Sequence, residues 1–222
     1  MNLKKIFSKP KIISICANVN EGKSMLIYHI IEELKKIGKF NLVVYGLRVE
    51  LKDVLTIHSV EELEQIKNSI IIIDEVMSLW DLDNRVAKRQ IETSLRLLFH
   101  NNNVLLICGL PENFKKFISG KVNSVFFKKV TFADLINGSR MKNIIMNYKG
   151  NEKGNTILNL DIDECLFFDG LNYEKFKVPY LKKYDTKKDN VPIIQEKFKK
   201  SVTKSVNNIV SNPVVKEEIK KL

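Results

Sequence analysis

Cysteine is scarce in this chain: Cys16, Cys108 and Cys165 are odd in number, far apart and each set in an apolar run. That pattern supports neither a disulfide framework nor a zinc site, and a reducing interior is the expected home. Uncharged apolar runs of about 18 residues are also missing, so no transmembrane helix is expected. The opening MNLKKIF is basic, but Ser8-Lys9-Pro10-Lys11 cuts the apolar stretch too short for a signal peptide. Acidic residues are outnumbered, 26 against 37 basic ones, which leaves a formal net charge of +11. Such a surplus favours polyanionic partners, either nucleic acid or an acidic membrane surface, although a composition rich in Ile, Lys and Asn produces lysine without any partner. With 222 residues, 44% of them hydrophobic, there is material for one substantial domain and a tail.

What is present is organised around Lys11 to Glu33, KIISICANVNEGKSMLIYHIIEE. A short apolar strand, Ile12 to Cys16, meets a turn and then a helix, Met25 to Leu34, with Leu26, Ile27, Ile30, Ile31 and Leu34 at helical spacing. Between them, Ala17-Asn18-Val19-Asn20-Glu21-Gly22-Lys23-Ser24 fits A-x-x-x-x-G-K-S, one residue away from the phosphate-binding P-loop pattern G-x-x-x-x-G-K-[ST]. The chemistry is electrostatic. Successive backbone N–H groups and a helix N-terminus converge on phosphate oxygens, a lysine reaches the β- and γ-phosphates, and a hydroxyl ligates Mg²⁺. Those roles fall to the loop Ala17 to Ser24, to Lys23 and to Ser24. Alanine in place of the first glycine is sterically acceptable if its φ stays negative, and Gly22 keeps full freedom just before the lysine.

Further along, Gly38 should stop the helix and Phe40 to Tyr45 reads as a second buried strand. Val54 to His58 reads as a short strand, and Ser59 with Glu62 marks the start of a helix Val60 to Lys67. Then comes Ile70-Ile71-Ile72-Ile73-Asp74-Glu75, a β-branched run of the kind found in a central parallel strand, ending in two carboxylates at the ligand crevice. Asp74 is placed to meet Mg²⁺ directly or through water, and Glu75 to orient and deprotonate an attacking water. A helix Asn84 to His100 carries Arg85, Lys88, Arg89 and Arg96, and Val104 to Cys108 makes the next strand after Asn101 to Asn103. These arginines read first as a solvated face. Phosphoryl transfer also uses arginines supplied across a subunit boundary, which makes Arg89 and Arg96 candidates.

Gly109-Leu110-Pro111 turns into a helix through Ile118, and Ser124 to Lys128 forms a further strand. From Val130 the pattern changes to a short helix, Phe132 to Asn137, and strands at Lys142 to Tyr148, Asn155 to Asp161 and Glu164 to Phe168. The stretch Phe176 to Thr186 is expected to be extended. Lys187 to Leu222 reads as a solvating lysine-rich tail with an amphipathic helix near Ile193 to Val206. Thr186-Lys187-Lys188-Asp189 imitates a guanine-recognition motif, but no apolar strand precedes it and Asp74 lacks a following x-x-Gly, so adenine nucleotide is expected.

This order of parts resembles the P-loop ATPases that carry a catalytic glutamate beside the Walker B aspartate, and within them the FtsK/HerA branch of DNA-pumping motors. That branch includes viral genome-packaging ATPases and the Zot-type ATPases of filamentous phages. The resembling residues are IIIIDEV, SLRLLFHNNNVLLIC, LPENFKKF with SVFFKK, and KKYDT, and the likeness spans about residues 11 to 190, although only the two Walker motifs are specific. It implies an α/β, RecA/FtsK-like P-loop NTPase with a mostly parallel sheet, in which the strand after Walker B lies between the two Walker strands. A C-terminal antiparallel β appendix and a basic tail would follow. The expected division is residues 1–186 for the ATPase domain, with a core at 11–130 and the appendix at 131–186, and 187–222 for the tail. The chain departs from the family at Cys108-Gly109, where a sensor glutamine is usual, and it lacks the spanning helix of Zot-type proteins.

The resemblance implies an ATP- and Mg²⁺-dependent motor that translocates DNA without reading its sequence, working as a homo-oligomeric ring, with a hexamer as one candidate and capsid or other viral proteins as further candidate partners. The expected compartment is a host cytoplasm or a virion. Two other readings stand beside it: an ATPase that loads or remodels proteins on DNA, which would need a helical lid, and a nucleotide-binding scaffold that does not hydrolyse.

Overall fold

The computed structural model describes residues 2–18, 20–47, 49–74, 85–109, 121–129 and 159–184, with only the backbone described for 85–91. The chain divides into two compact units, the first being Met1–Leu47 with Lys52–Lys182, and everything below concerns that one except the short turn at Lys182–Tyr184. Its elements in chain order are α1 (Leu3–Ile6), β1 (Lys11–Cys16), α2 (Lys23–Ile37), β2 (Asn41–Tyr45), β3 (Leu55–Ile57), α3 (Val60–Gln65) and β4 (Ser69–Ile73). There follow α4 (Arg85–His100), β5 (Val104–Gly109), β6 (Val122–Phe127), β7 (Glu164–Phe168) and β8 (Tyr173–Lys177).

The strands make one eight-stranded sheet in the order β3-β2-β4-β5-β1-β6-β7-β8. β3 through β6 are parallel to one another, whereas β7 and β8 join antiparallel. β5, the strand after Asp74, therefore lies between β4 and β1, as the resemblance implied. Parallel strands covered on both faces read as continuous apolar runs, and β4 and β5 are buried at every position.

Alternation divides the strand residues between the two faces. Ile12, Cys16, Val43, Ile71, Ile73, Leu105, Ile107, Val125 and Phe127 share one cluster with Leu63 of α3 and with Leu95 and Leu98 of α4. The buried stripe of α2, namely Leu26, Ile27, Ile30, Ile31 and Leu34, lies outside that cluster and covers the other face. At about 1.5–3 kcal/mol for each aliphatic side chain removed from water, this stripe contributes roughly ten kcal/mol to stability.

Helix ends follow their local chemistry. Gly38 adopts φ 66° and returns its N–H to the Leu34 carbonyl, closing α2. Ser59 accepts from the Glu62 N–H at 3.2 Å, while the Glu62 carboxylate reaches back to the N–H of His58 rather than of Ser59 itself. At the sheet edge opposite the phosphate loop, Asn103 accepts from the Ser69 N–H at 3.0 Å and donates to the Ile66 carbonyl at 2.8 Å. Asn101 donates its side-chain amide to the Glu64 carbonyl of α3 and accepts from the Asn68 N–H at 2.9 Å, which holds the C-terminus of α4 beside α3 and the start of β4.

Several expectations need correction. α3 stops at Gln65 because Ile66 is extended, so Ser69 already belongs to β4. Leu160 and Asp161 lie in no strand. The stretch expected to be extended from Phe176 is so at Phe176 and Lys177, the end of a strand β8 that begins at Tyr173 and pairs with β7, but Lys182–Tyr184 is a 3₁₀ turn. α1 was not foreseen. The expected helix after Pro111, the elements between Phe132 and Tyr148 and the tail from Lys187 lie outside the described residues.

Candidate nucleotide site

β1 ends at Cys16, and the chain turns through a loop into α2. Ala17 is fully buried and is not among the described residues with positive φ, so the alanine fits where the pattern has glycine. Asn20 and Gly22 are left-handed, at φ 63° and 77°. Asparagine tolerates that region better than most residues because its short side chain bonds locally. Such alternating geometry turns successive N–H groups toward one concavity, the basis of anion nests. The Asn18 carbonyl accepts from the Glu21 N–H at 3.4 Å, and the Gly22 carbonyl accepts from the Leu26 N–H at 3.1 Å, the first bond of the helix.

Gly22 is the N-cap of α2 and has no side chain with which to cap it. The first-turn amides of α2 therefore depend on acceptors from elsewhere, which is the condition under which a helix N-terminus takes an anion. Lys23 is half-buried and Ser24 exposed at that terminus. Val19 lies outside the described residues.

Asp74 follows directly from β4, half-buried, and its N–H donates to the Tyr45 carbonyl at 3.0 Å. Register places it relative to the loop: Ile73 pairs with Ile107, which in turn pairs with Ser14. Asp74 thus leaves the same edge of the sheet as Cys16 does, two strand spacings away, roughly 10 Å. Ser24 and Asp74 are both hard oxygen donors. Mg²⁺ takes such donors one or two at a time, completing its shell with substrate phosphates and water, and among the described residues no group of three or more His, Cys, Asp or Glu could hold a metal alone. The donor set fits Mg²⁺ in that mode.

Glu75 lies outside the described residues, as does the side chain of Arg89. Arg96 is exposed on α4, four residues before the helix ends. It lies about one helical turn before the end of α4, whose following residues Asn101 and Asn103 bond to Asn68 and Ser69 at the start of β4. Cys108 and Gly109 complete β5, with Cys108 beside Ile15 and Gly109 beside Cys16.

The sequence offered no sign of a further residue at this edge. Lys128 follows β6 and is fully buried. Its N–H donates to the Cys16 carbonyl at 3.0 Å, and its ammonium donates to the carbonyls of Ile162 at 2.6 Å and Glu164 at 2.7 Å. Burial pushes its pKa down, against the opposing pull of Cys165, Asp163, Glu21 and Glu164. Cys165 is itself buried and its pKa is raised far above the usual thiol range, so it stays neutral and the three carboxylates supply the offset.

No protein-family model and no curated protein sequence matches the chain. Solved structures do. The genome packaging NTPase B204 from Sulfolobus turreted icosahedral virus 2, in complex with sulfate, is similar at TM-score 0.56 and 15% identity, over 78% of this chain and 98% of that one. The same NTPase in complex with ATP-γ-S gives TM-score 0.55 and 17% identity, over 82% and 100%. The pCW3 conjugation coupling protein TcpA with ATP-γ-S gives TM-score 0.53 and 18% identity, over 83% of this chain and 63% of that one. At these identities the likeness concerns the fold alone: this chain shares with those structures a mostly parallel α/β sheet, here closed by antiparallel strands at one edge.

Proposed function

We propose that the chain is an ATP-hydrolysing motor that translocates DNA, packaging the genome of a virus or mobile element as a homo-oligomeric ring. One observation carries this reading: the loop Ala17 to Ser24 and the acidic end of β4 leave the same edge of one parallel sheet, with β5 between them. Similar structures are genome-packaging and conjugation coupling proteins, and some of them hold ATP analogues. The charge of +11 suits a polyanionic track.

In this reading the loop amides and Lys23 hold the β- and γ-phosphates, and Ser24 and Asp74 hold Mg²⁺. The metal, when bound, neutralises charge developing on the phosphates. Glu75 takes the proton of the attacking water. Arg89 and Arg96 are the candidates for a charge delivered from one subunit to its neighbour, and the exposure of Arg96 suits that role better than one within its own subunit. A loader of the helical-lid type is disfavoured by β7 and β8, which occupy the sheet edge as strands.

The test is ATP turnover with and without duplex DNA at low salt. Stimulation by DNA of any sequence, weakening steeply as salt rises, is expected. Turnover indifferent to DNA would return the protein to the loader reading, and ATP binding without turnover to the scaffold.

A further inference from the structure

Lys128 is a buried cation that this mechanism does not use. An ammonium carries three donors, and the acceptors it has are two main-chain carbonyls, of Ile162 and Glu164. Among the described residues no carboxylate forms an ion pair with it. Burying a charge whose counter-ions lie beyond contact is expensive and is tolerated where something repays it.

Its position suggests what does. Lys128 Cε lies 3.4 Å from the point a Cβ on Gly22 would occupy, and the Ile162 carbonyl oxygen, which the ammonium holds, lies 3.1 Å from that point. Through its own N–H the residue is tied to Cys16, the last residue before the loop. The cation is therefore packed against the glycine that opens α2. The carboxylates that act on it at longer range belong to Glu21 in the loop, to Asp163 just before β7 and to Glu164 at its start.

We infer that Lys128 is a second cation of the phosphate site: its buried charge stabilises bound polyphosphate alongside Lys23, and its two carbonyl bonds hold the Asp161–Glu164 turn against the loop. This rests on the nucleotide-site reading above. Because the interaction crosses protein rather than water, it is weakly screened, and it grows with the number of phosphates bound.

The test compares binding of ATP, ADP, AMP and inorganic tripolyphosphate to the full chain and to Lys128→Met, which keeps an unbranched side chain one atom shorter and removes the charge. Were the charges about 8 Å apart at an effective dielectric near 20, the loss would be roughly 30-fold for ATP and tripolyphosphate, with a smaller loss for ADP and least for AMP. Lys128→Arg should restore part of the difference between ATP and AMP. An equal loss for every ligand, or none, overturns the inference and leaves Lys128 a structural tie between β6 and the turn. Should Lys128→Met fail to fold, the ¹⁵Nζ resonance of Lys128 in the unsubstituted chain reads the same thing: tripolyphosphate should shift it, and an unmoved resonance overturns the inference. Failure of the unsubstituted chain to bind either ATP or tripolyphosphate would instead overturn the nucleotide site itself.

Discussion

The carbonyl oxygen of Ile162 lies 3.1 Å from where a β-carbon on Gly22 would sit. Gly22 is also left-handed at φ 77°, so two independent constraints require glycine there. Gly22→Ala should lose about 1–2 kcal/mol from the left-handed backbone alone, with a further penalty from displacing the 161–164 turn. Denaturant unfolding with ATP binding measured in parallel checks this; a variant as stable as the parent would mean the loop relaxes freely.

Ala17 makes the opposite prediction. Its φ is not positive and its side chain is buried, so a glycine there gains no needed conformation and loses packing. Ala17→Gly should leave ATP affinity within about twofold and cost about 0.5–1 kcal/mol of stability. A large gain in affinity would show that the alanine strains the loop.

Much of this was legible in the sequence, and the reason is burial on both faces. The runs IISIC, IIII and VLLIC are apolar because β1, β4 and β5 are central parallel strands, and Gly38 marks the end of α2 because a left-handed cap is needed there. The turn Asn101 to Asn103 was legible too, with Asn102 at φ 59°. β8 was not, since Tyr-Glu-Lys-Phe-Lys is an edge strand whose polar residues satisfy an exposed face and imitate a loop. Lys128 was not, because a lysine closing SVFFK reads as the solvated end of a strand. Its burial depends on Ile162 and Glu164, more than thirty residues away in sequence.

Ser14 lies in the middle of β1, fully buried, beside Ile107 and Val125, and its hydroxyl has no hydrogen-bond partner among the described residues. Replacing an unpaired buried hydroxyl by hydrogen removes a desolvation cost of about 1 kcal/mol. Ser14→Ala should therefore raise the melting temperature by about 2–4 °C, as calorimetry would record. A lower melting temperature would reveal a partner for the hydroxyl.

His29 of α2 lines a cavity of about 680 Å³ with Asn2, Leu3, Glu33, Ile37 and Phe176. Burial pushes its pKa below the ordinary 6.5, with Glu33 opposing and Lys36 assisting. The unfolded chain then binds the proton more readily than the folded one. Stability should accordingly be fully present above about 6.5 and be lost as pH falls from there toward the lower folded value. His29→Gln should flatten this part of the curve of melting temperature against pH, and an unchanged acid limb would assign the loss to other groups.

The central claim is that the loop after β1 and the carboxylates after β4 form one hydrolytic site, and the most direct test is ATP binding and turnover in Lys23→Ala and Glu75→Gln beside the parent chain. Lys23→Ala should lose both, because it removes the cation that holds the β- and γ-phosphates. Glu75→Gln should bind ATP as the parent does while losing most turnover, about 10²-fold or more for a removed general base. Unimpaired hydrolysis in Glu75→Gln, or unimpaired binding and hydrolysis in Lys23→Ala, would contradict the account.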